Sequence, residues 1–238
     1  MARGLASVLL VALAAAEAAA QGAAPGVSGY VTVATGYWNR GLSQNDGVAV
    51  QAGADYQHAS GFFAGGSIAD VDYVVDASAS APRELEVDAY LGYHRRNAAW
   101  SWTLTLGRYL YPDGDSRYEY SELAASVGFR DRVFFSTSYT NDFYSLRRAA
   151  WNSEVSLTFP LPADFEVSAA LGRFDLDFAS GSKYTHWNAG ISRVVRRVAV
   201  DLRYYRSSYG FATVLGDPDA DQYVLSVSYA FRGARPRN

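Results

Sequence analysis

Three histidines, His58, His94 and His186, and no cysteine at all are what this chain offers for nucleophilic or metal chemistry. A Ser–His–Asp arrangement is recognised by geometry rather than by spacing, so serines such as Ser153 and Ser192 are formal candidates for it. The spacing itself points away from catalysis. There is no Gly-x-Ser-x-Gly elbow, and Gly65-Gly66-Ser67-Ile68-Ala69 lacks the final glycine. Without cysteine, thiolate metal sites, cysteine nucleophiles and disulfide scaffolds are excluded together. Two aspartate groups, Asp113-Gly114-Asp115 and Asp217, Asp219 and Asp221, invite a calcium reading. Neither has the closing glutamate or the spacing of a calcium loop, and Pro218 interrupts the second. Solvated turn chemistry accounts for both. The second group also suits bridging of divalent cations to lipopolysaccharide phosphates. The chain is read as a non-enzyme, with no catalytic residue, no metal site and no cofactor.

The remaining residues must therefore be understood through the elements that carry them. The chain has 238 residues, 49% hydrophobic, 15% aromatic and 19% charged, which excludes a disordered protein. A formal net charge of −3 argues against a dedicated nucleic-acid binder, and no nucleic-acid partner is expected. Residues 1–20 have the layout of a cleavable export signal. Arg3 forms the positive start, an apolar run covers 5–16, and Ala18-Ala19-Ala20 precedes Gln21. That apolar run is too short to cross about 30 Å of hydrocarbon as a helix. Export through the inner membrane of a Gram-negative cell is the expectation. After Gly26 no stretch of eighteen apolar residues remains, so helical spans are excluded.

Alternation with a period of two dominates instead. Leu85, Val87, Ala89, Leu91 and Tyr93 interleave with Glu86, Asp88, Tyr90 and Gly92. Trp151, Ser153, Val155, Leu157 and Phe159 interleave with Asn152, Glu154, Ser156 and Thr158. Twelve such segments lie near 28–40, 47–58, 62–73, 84–94, 100–110, 118–129, 133–141, 151–159, 165–174, 184–193, 198–206 and 222–231. Tight turns alternate with longer loops between them. This predicts a transmembrane, antiparallel, up-and-down β-barrel of about twelve strands, all-β, over 27–231. A short basic tail, 232–238, follows it. Three features favour a membrane barrel over a soluble one: the small residues on the polar face, the aromatic ending Tyr223 to Phe231, and aromatics near strand ends. The last include Tyr37-Trp38, Tyr93, Trp100, Trp102, Phe129, Tyr139, Trp151, Phe159 and Trp187.

The run Tyr30-Val31-Thr32-Val33-Ala34-Thr35-Gly36-Tyr37, followed by Arg40-Gly41-Leu42-Ser43-Gln44, resembles the opening of the TorF family of outer-membrane porins, a Gcw_chp-type barrel family. Asp55-Tyr56-Gln57-His58 and Gly61-Phe62-Phe63-Ala64-Gly65 resemble its second and third strands. Tyr184, His186-Trp187 and Asp201-Leu202-Arg203-Tyr204-Tyr205 resemble later ones. The resemblance spans the whole mature chain and is most specific over 30–73. It implies a barrel that acts as a channel. The tail after Phe231 departs from it.

Placing the apolar face toward lipid puts Leu91, Leu104, Val127, Val155 and Leu202 outside. Asp55, Glu86, Asp88, Glu122, Glu154, Asp201 and Arg203 then line the pore, a net excess of carboxylates, with Arg40 at the loop-side mouth. Arg108 and Arg173 fall on the outer face near the long loops, where a charge costs only about 0–1 kcal/mol. His94-Arg95-Arg96, Arg130 with Arg132, and Arg193 with Arg196-Arg197 fall at short turns, as a solvated rim. The expected function is passive diffusion of ions or small hydrophilic solutes across the outer membrane, weakly cation-preferring. The alternatives are a barrel enzyme acting on envelope lipids and a non-conducting structural or adhesive barrel. Expected partners are outer-membrane lipid and lipopolysaccharide, the barrel assembly machinery, and the solutes themselves. Twelve strands leave room for a lumen that a folded-back loop or inward tyrosines could close. Nothing in the pattern encodes an oligomeric state.

Overall fold

Alternating strands with one apolar face have only one way to cross hydrocarbon: the sheet must close on itself. The computed structural model describes residues 25–45, 47–71, 84–112, 119–176, 183–208 and 221–232. The strands are β1 (Gly26–Ala34), β2 (Trp38–Asn39), β3 (Leu42–Ser43), β4 (Ala49–Gln57), β5 (Phe62–Val71), β6 (Glu84–Asn97), β7 (Trp100–Leu110), β8 (Tyr120–Phe129), β9 (Val133–Thr140), β10 (Ala150–Pro160), β11 (Phe165–Leu176), β12 (Lys183–Val195), β13 (Val198–Ser208) and β14 (Asp221–Arg232). Twelve of them form a closed barrel in chain order, and β2 and β3 form a separate two-stranded hairpin. All pairings are antiparallel, and β1 closes the ring on β14 through Val31↔Tyr229 and Val33↔Val227. Both chain ends of the barrel thus lie at the short-turn rim. The expected signal segment, Asp113, Asp115, Asp217, Asp219 and the tail beyond Arg232 fall outside the described residues.

Exposure follows sequence parity. On β7, Trp100, Trp102, Leu104, Leu106 and Arg108 are exposed, while Ser101, Thr103, Thr105, Gly107 and Tyr109 are buried. Leu91, Leu104, Val127, Val155 and Leu202 are between 38% and 58% exposed, an inversion of the ordinary globular rule. Such a surface is stable only against hydrocarbon. Aromatic rings gird it at both ends. Phe62 meets Tyr93 at 5.0 Å and Trp100 meets Phe129 at 4.7 Å near the short turns. Tyr139 meets Trp151 at 5.4 Å, and Trp187, Tyr204 and Tyr223 form a row with 5.2 and 5.0 Å spacings, near the long loops. Arg108 does lie outside near that end, paired with Glu119 at 2.7 Å.

The sequence pattern errs at one strand. Alternation suggests a strand to residue 40, but β1 ends at Ala34. Tyr37 and Trp38 do not join the outer girdle; both are 6% exposed and turned inward. The physical reason is that the chain leaves the sheet after Ala34, and the Tyr37 hydroxyl and Trp38 indole N–H then donate to the inward-facing Glu86 and Gln222.

Two expectations follow. Leu104→Arg, on the outer face in mid-strand, should cost about 2–4 kcal/mol in folding into lipid vesicles, and Ser126→Asn on the inner face much less, as urea titrations would measure. In the cysteine-free background, Glu154→Cys should react with a water-soluble maleimide, and Val155→Cys in an inserted barrel should not.

Candidate functional site

The inner wall has a size gradient. From the short turns to the long loops, β7 presents Ser101, Thr103, Thr105, Gly107 and Tyr109, while β8 presents Gly128, Ser126, Ala124, Glu122 and Tyr120. The long-loop end is accordingly aromatic. Tyr109 and Tyr120 stack at 4.4 Å. Phe143, from a short 3-10 turn at Phe143–Ser145, folds inward to lie 5.2 Å from Tyr120 and 5.5 Å from Phe174.

Into this end the β2–β3 hairpin is inserted. Its central residues, Arg40 and Gly41, have φ of 51° and 78°, as a two-residue connection of type I′ requires. Glycine takes that conformation freely, whereas arginine carries strain that the surroundings must hold. The base of the hairpin is closed by the Gln44 N–H donating to the Tyr37 carbonyl (2.7 Å) and the Tyr37 N–H donating to Asn45 Oδ1 (2.8 Å). The hairpin reaches the wall on three sides. The Tyr37 hydroxyl donates to Glu86 on β6 at 3.2 Å. The Trp38 ring stacks on Tyr205 of β13 at 5.7 Å, and its N–H donates to Gln222 of β14 at 2.5 Å. The tip crosses to β8, where Arg40 Nη2 meets Glu122 Oε1 at 2.5 Å, and Arg40 also sits 5.8 Å over the Phe174 ring. A Cβ at Gly41 would collide with the Cβ of His186 on β12. Burial opposes the charge on Arg40, but Glu122 together with Tyr109 and Tyr120 outweighs it and holds the guanidinium pKa above its usual value.

All seven residues expected to line a pore point inward, but they do not converge on one cluster. The Tyr90 hydroxyl donates to Asp55. Glu86 accepts from Tyr37 and, at 2.7 Å, from Tyr111. Asp88 accepts from Ser67 at 2.9 Å through one oxygen. Glu154 lies 3.8 Å from His186, whose other ring nitrogen is 3.0 Å from Asn152. Asp201 pairs with Arg203 at 3.1 Å, and Arg203 is further held by Asn188 (2.6 Å) and Ser168 (2.7 Å). That guanidinium is fully committed to the wall.

Arg40 is a correction to the sequence reading: it is not at the mouth but inside the lumen, paired with a carboxylate. Glu166 was missed. By strand parity it faces inward on β11, level with Ser192 and Asp201. Parity would have found it; its nearness to the Pro160–Asp164 turn hid it. The hairpin had a signal too, Arg-Gly flanked by Asn39 and Leu42, but inward insertion has no sequence signature.

Comparison with known proteins follows from this geometry. Residues 17–211 match the family described as "Bacterial protein of unknown function (Gcw_chp)". The chain belongs to this family. No curated protein sequence matches it. Among solved structures it is similar to the KdgM porin, with 12% identity and a TM-score of 0.54, over 86% of this chain and 99% of that one. A KdgM porin in complex with disordered oligogalacturonate gives 10% identity and 0.52, over 86% and 98%. The NanC porin gives 8% identity and 0.56, over 87% and 100%. These likenesses show a shared twelve-stranded barrel fold. In this Gcw_chp chain the segment 40–44 is the hairpin tip and its return strand.

Gly41→Val would force a β-branched residue into left-handed φ against His186. The strain alone is about 1–2 kcal/mol, so amide hydrogen exchange across 37–45 should accelerate roughly tenfold or more, with strand amides unchanged.

Proposed function

We propose that this chain is an outer-membrane channel for passive diffusion of ions or small hydrophilic solutes, weakly cation-preferring, with the inserted hairpin as its constriction. The observation that carries this reading is the chemistry of the interior. Asp55, Glu86, Asp88, Glu122, Glu154, Glu166 and Asp201 face inward against Arg40 and Arg203. Asp88 Oδ1, Thr105 Oγ1, Tyr109 OH, Ser138 Oγ and Ser226 Oγ are buried without a protein partner. Dry burial would cost about 1–3 kcal/mol for each such group, so the interior is built for water. Excess carboxylates on a low-dielectric wall concentrate cations and repel anions.

The signal-like segment, the outward apolar belt and the resemblance to TorF porins support an outer-membrane location, reached through the barrel assembly machinery. The KdgM porin has been solved with oligogalacturonate. The carboxylate excess here argues against an acidic oligosaccharide as the solute. The aromatic cap at the long-loop end favours a second reading, a non-conducting structural barrel.

Planar-bilayer recording separates the two. The wild-type barrel should give small, stepwise currents with a cation-selective reversal potential that fades toward 1 M salt, where the Debye length is about 3 Å. Replacing Arg40 with Ala and Glu122 with Gln together should unlatch the tip and enlarge the step. An anion-selective reversal potential would overturn the charge assignment. Silence from both the wild type and a variant lacking the hairpin would establish the structural barrel.

A further inference from the structure

The two rims of the barrel differ in charge. Among the described residues, seven exposed arginines stand at the short-turn rim against two exposed acids, Asp131 and Asp164, with Glu166 facing inward beside them. Among the described residues of the long-loop rim cations and acids are nearly matched, as in the pairs Arg108–Glu119 and Lys183–Asp175.

Two of these arginines lie over aromatic rings of the outer girdle, and a third reaches the hydroxyl of a girdle tyrosine. Arg130 lies 5.1 Å over the Phe129 ring and Arg193 lies 4.9 Å over the Phe165 ring. Arg197 Nη1 is 3.5 Å from the Tyr229 hydroxyl. Arg95 is paired in register with Trp102, on the same outward face. Arg96 pairs with the Asp131 carboxylate. Girdle aromatics sit at headgroup depth. A guanidinium fixed to such a ring is therefore held at the level of lipid phosphates, where its planar fork of donors matches phosphate oxygens. Clustered basic residues at a membrane surface attract anionic lipid. A solvated rim needs no anchoring of its guanidinium groups to rings.

We propose that the short-turn rim is a binding belt for anionic phospholipid headgroups, in which Arg130, Arg193 and Arg197 grip the phosphates of the leaflet that rim contacts. The inference rests on the barrel spanning a membrane and is independent of whether it conducts.

The test uses the whole barrel, reconstituted in mixed phosphatidylcholine and phosphatidylglycerol bilayers. Electron spin resonance with each lipid spin-labelled in turn would compare their association with the protein. The wild type should select phosphatidylglycerol several-fold. Combining Arg130→Gln, Arg193→Gln and Arg197→Gln should bring the ratio close to one. Arg173→Gln with Arg206→Gln, at the long-loop rim, should leave it unchanged. Should the triple variant fail to insert, Arg197→Gln alone, on a turn, should lower the ratio measurably. Equal association of both lipids with an inserted wild-type barrel, or undiminished selectivity in the glutamine variants, would overturn the belt and leave the membrane reading standing. A barrel that inserts into no bilayer would overturn both.

Discussion

Hydrocarbon cannot accept or donate hydrogen bonds, and every other feature of this molecule is arranged around that fact. An open edge on any of the twelve long strands would leave a row of backbone N–H and C=O groups facing lipid, each costing several kcal/mol. The β1–β14 pairing removes that edge, because Tyr30↔Ala230 through Ala34↔Ser226 complete the ring. Closure in turn divides every strand into two solvents. Side chains of one parity meet lipid, and those of the other meet an enclosed aqueous space.

The enclosed space then sets its own rules. Polar and charged groups there must be satisfied by one another or by water. Arg203 is held by Asp201, Asn188 and Ser168 on neighbouring strands, a network that fixes the wall rather than offering charge to a solute. Arg40 enters from a loop and is paired across the lumen with Glu122. Breaking one side of such a buried pair leaves the other uncompensated, typically at about 3–5 kcal/mol where water is excluded. Where water enters, the penalty is smaller. That makes the hairpin an element whose hold depends on how wet its surroundings are. The strain at Arg40 and the lack of strain at Gly41 fit a turn selected for its placement rather than its propensity.

Charge outside the lumen obeys the same division. On the outer face it is confined to the ends, where Arg108 and Lys183 have acidic partners close to the long loops. At the short turns Arg130 and Arg193 hold their guanidinium groups over rings of the aromatic girdle. Between the rims the outward face of the described strands is almost wholly apolar.

Strand number, register and facing were legible from residue order, because a period of two leaves only one register in which Leu104 and Val155 avoid water while Glu122 and Glu154 meet it. The inward placement of Asp55, Glu86, Asp88 and Asp201 followed from the same parity. Residues 35–48 were not legible in this way. Tyr37 and Trp38 look like girdle aromatics in sequence, and Arg40 looks like a loop charge. Their partners, Glu86, Gln222, Tyr205 and Glu122, lie between 49 and 184 residues away, on walls brought near only by closure. Local pattern determines which face a residue presents, since that depends on its immediate neighbours and the solvent. What fills the space inside a ring depends on all twelve walls at once, and only the tertiary structure decided it.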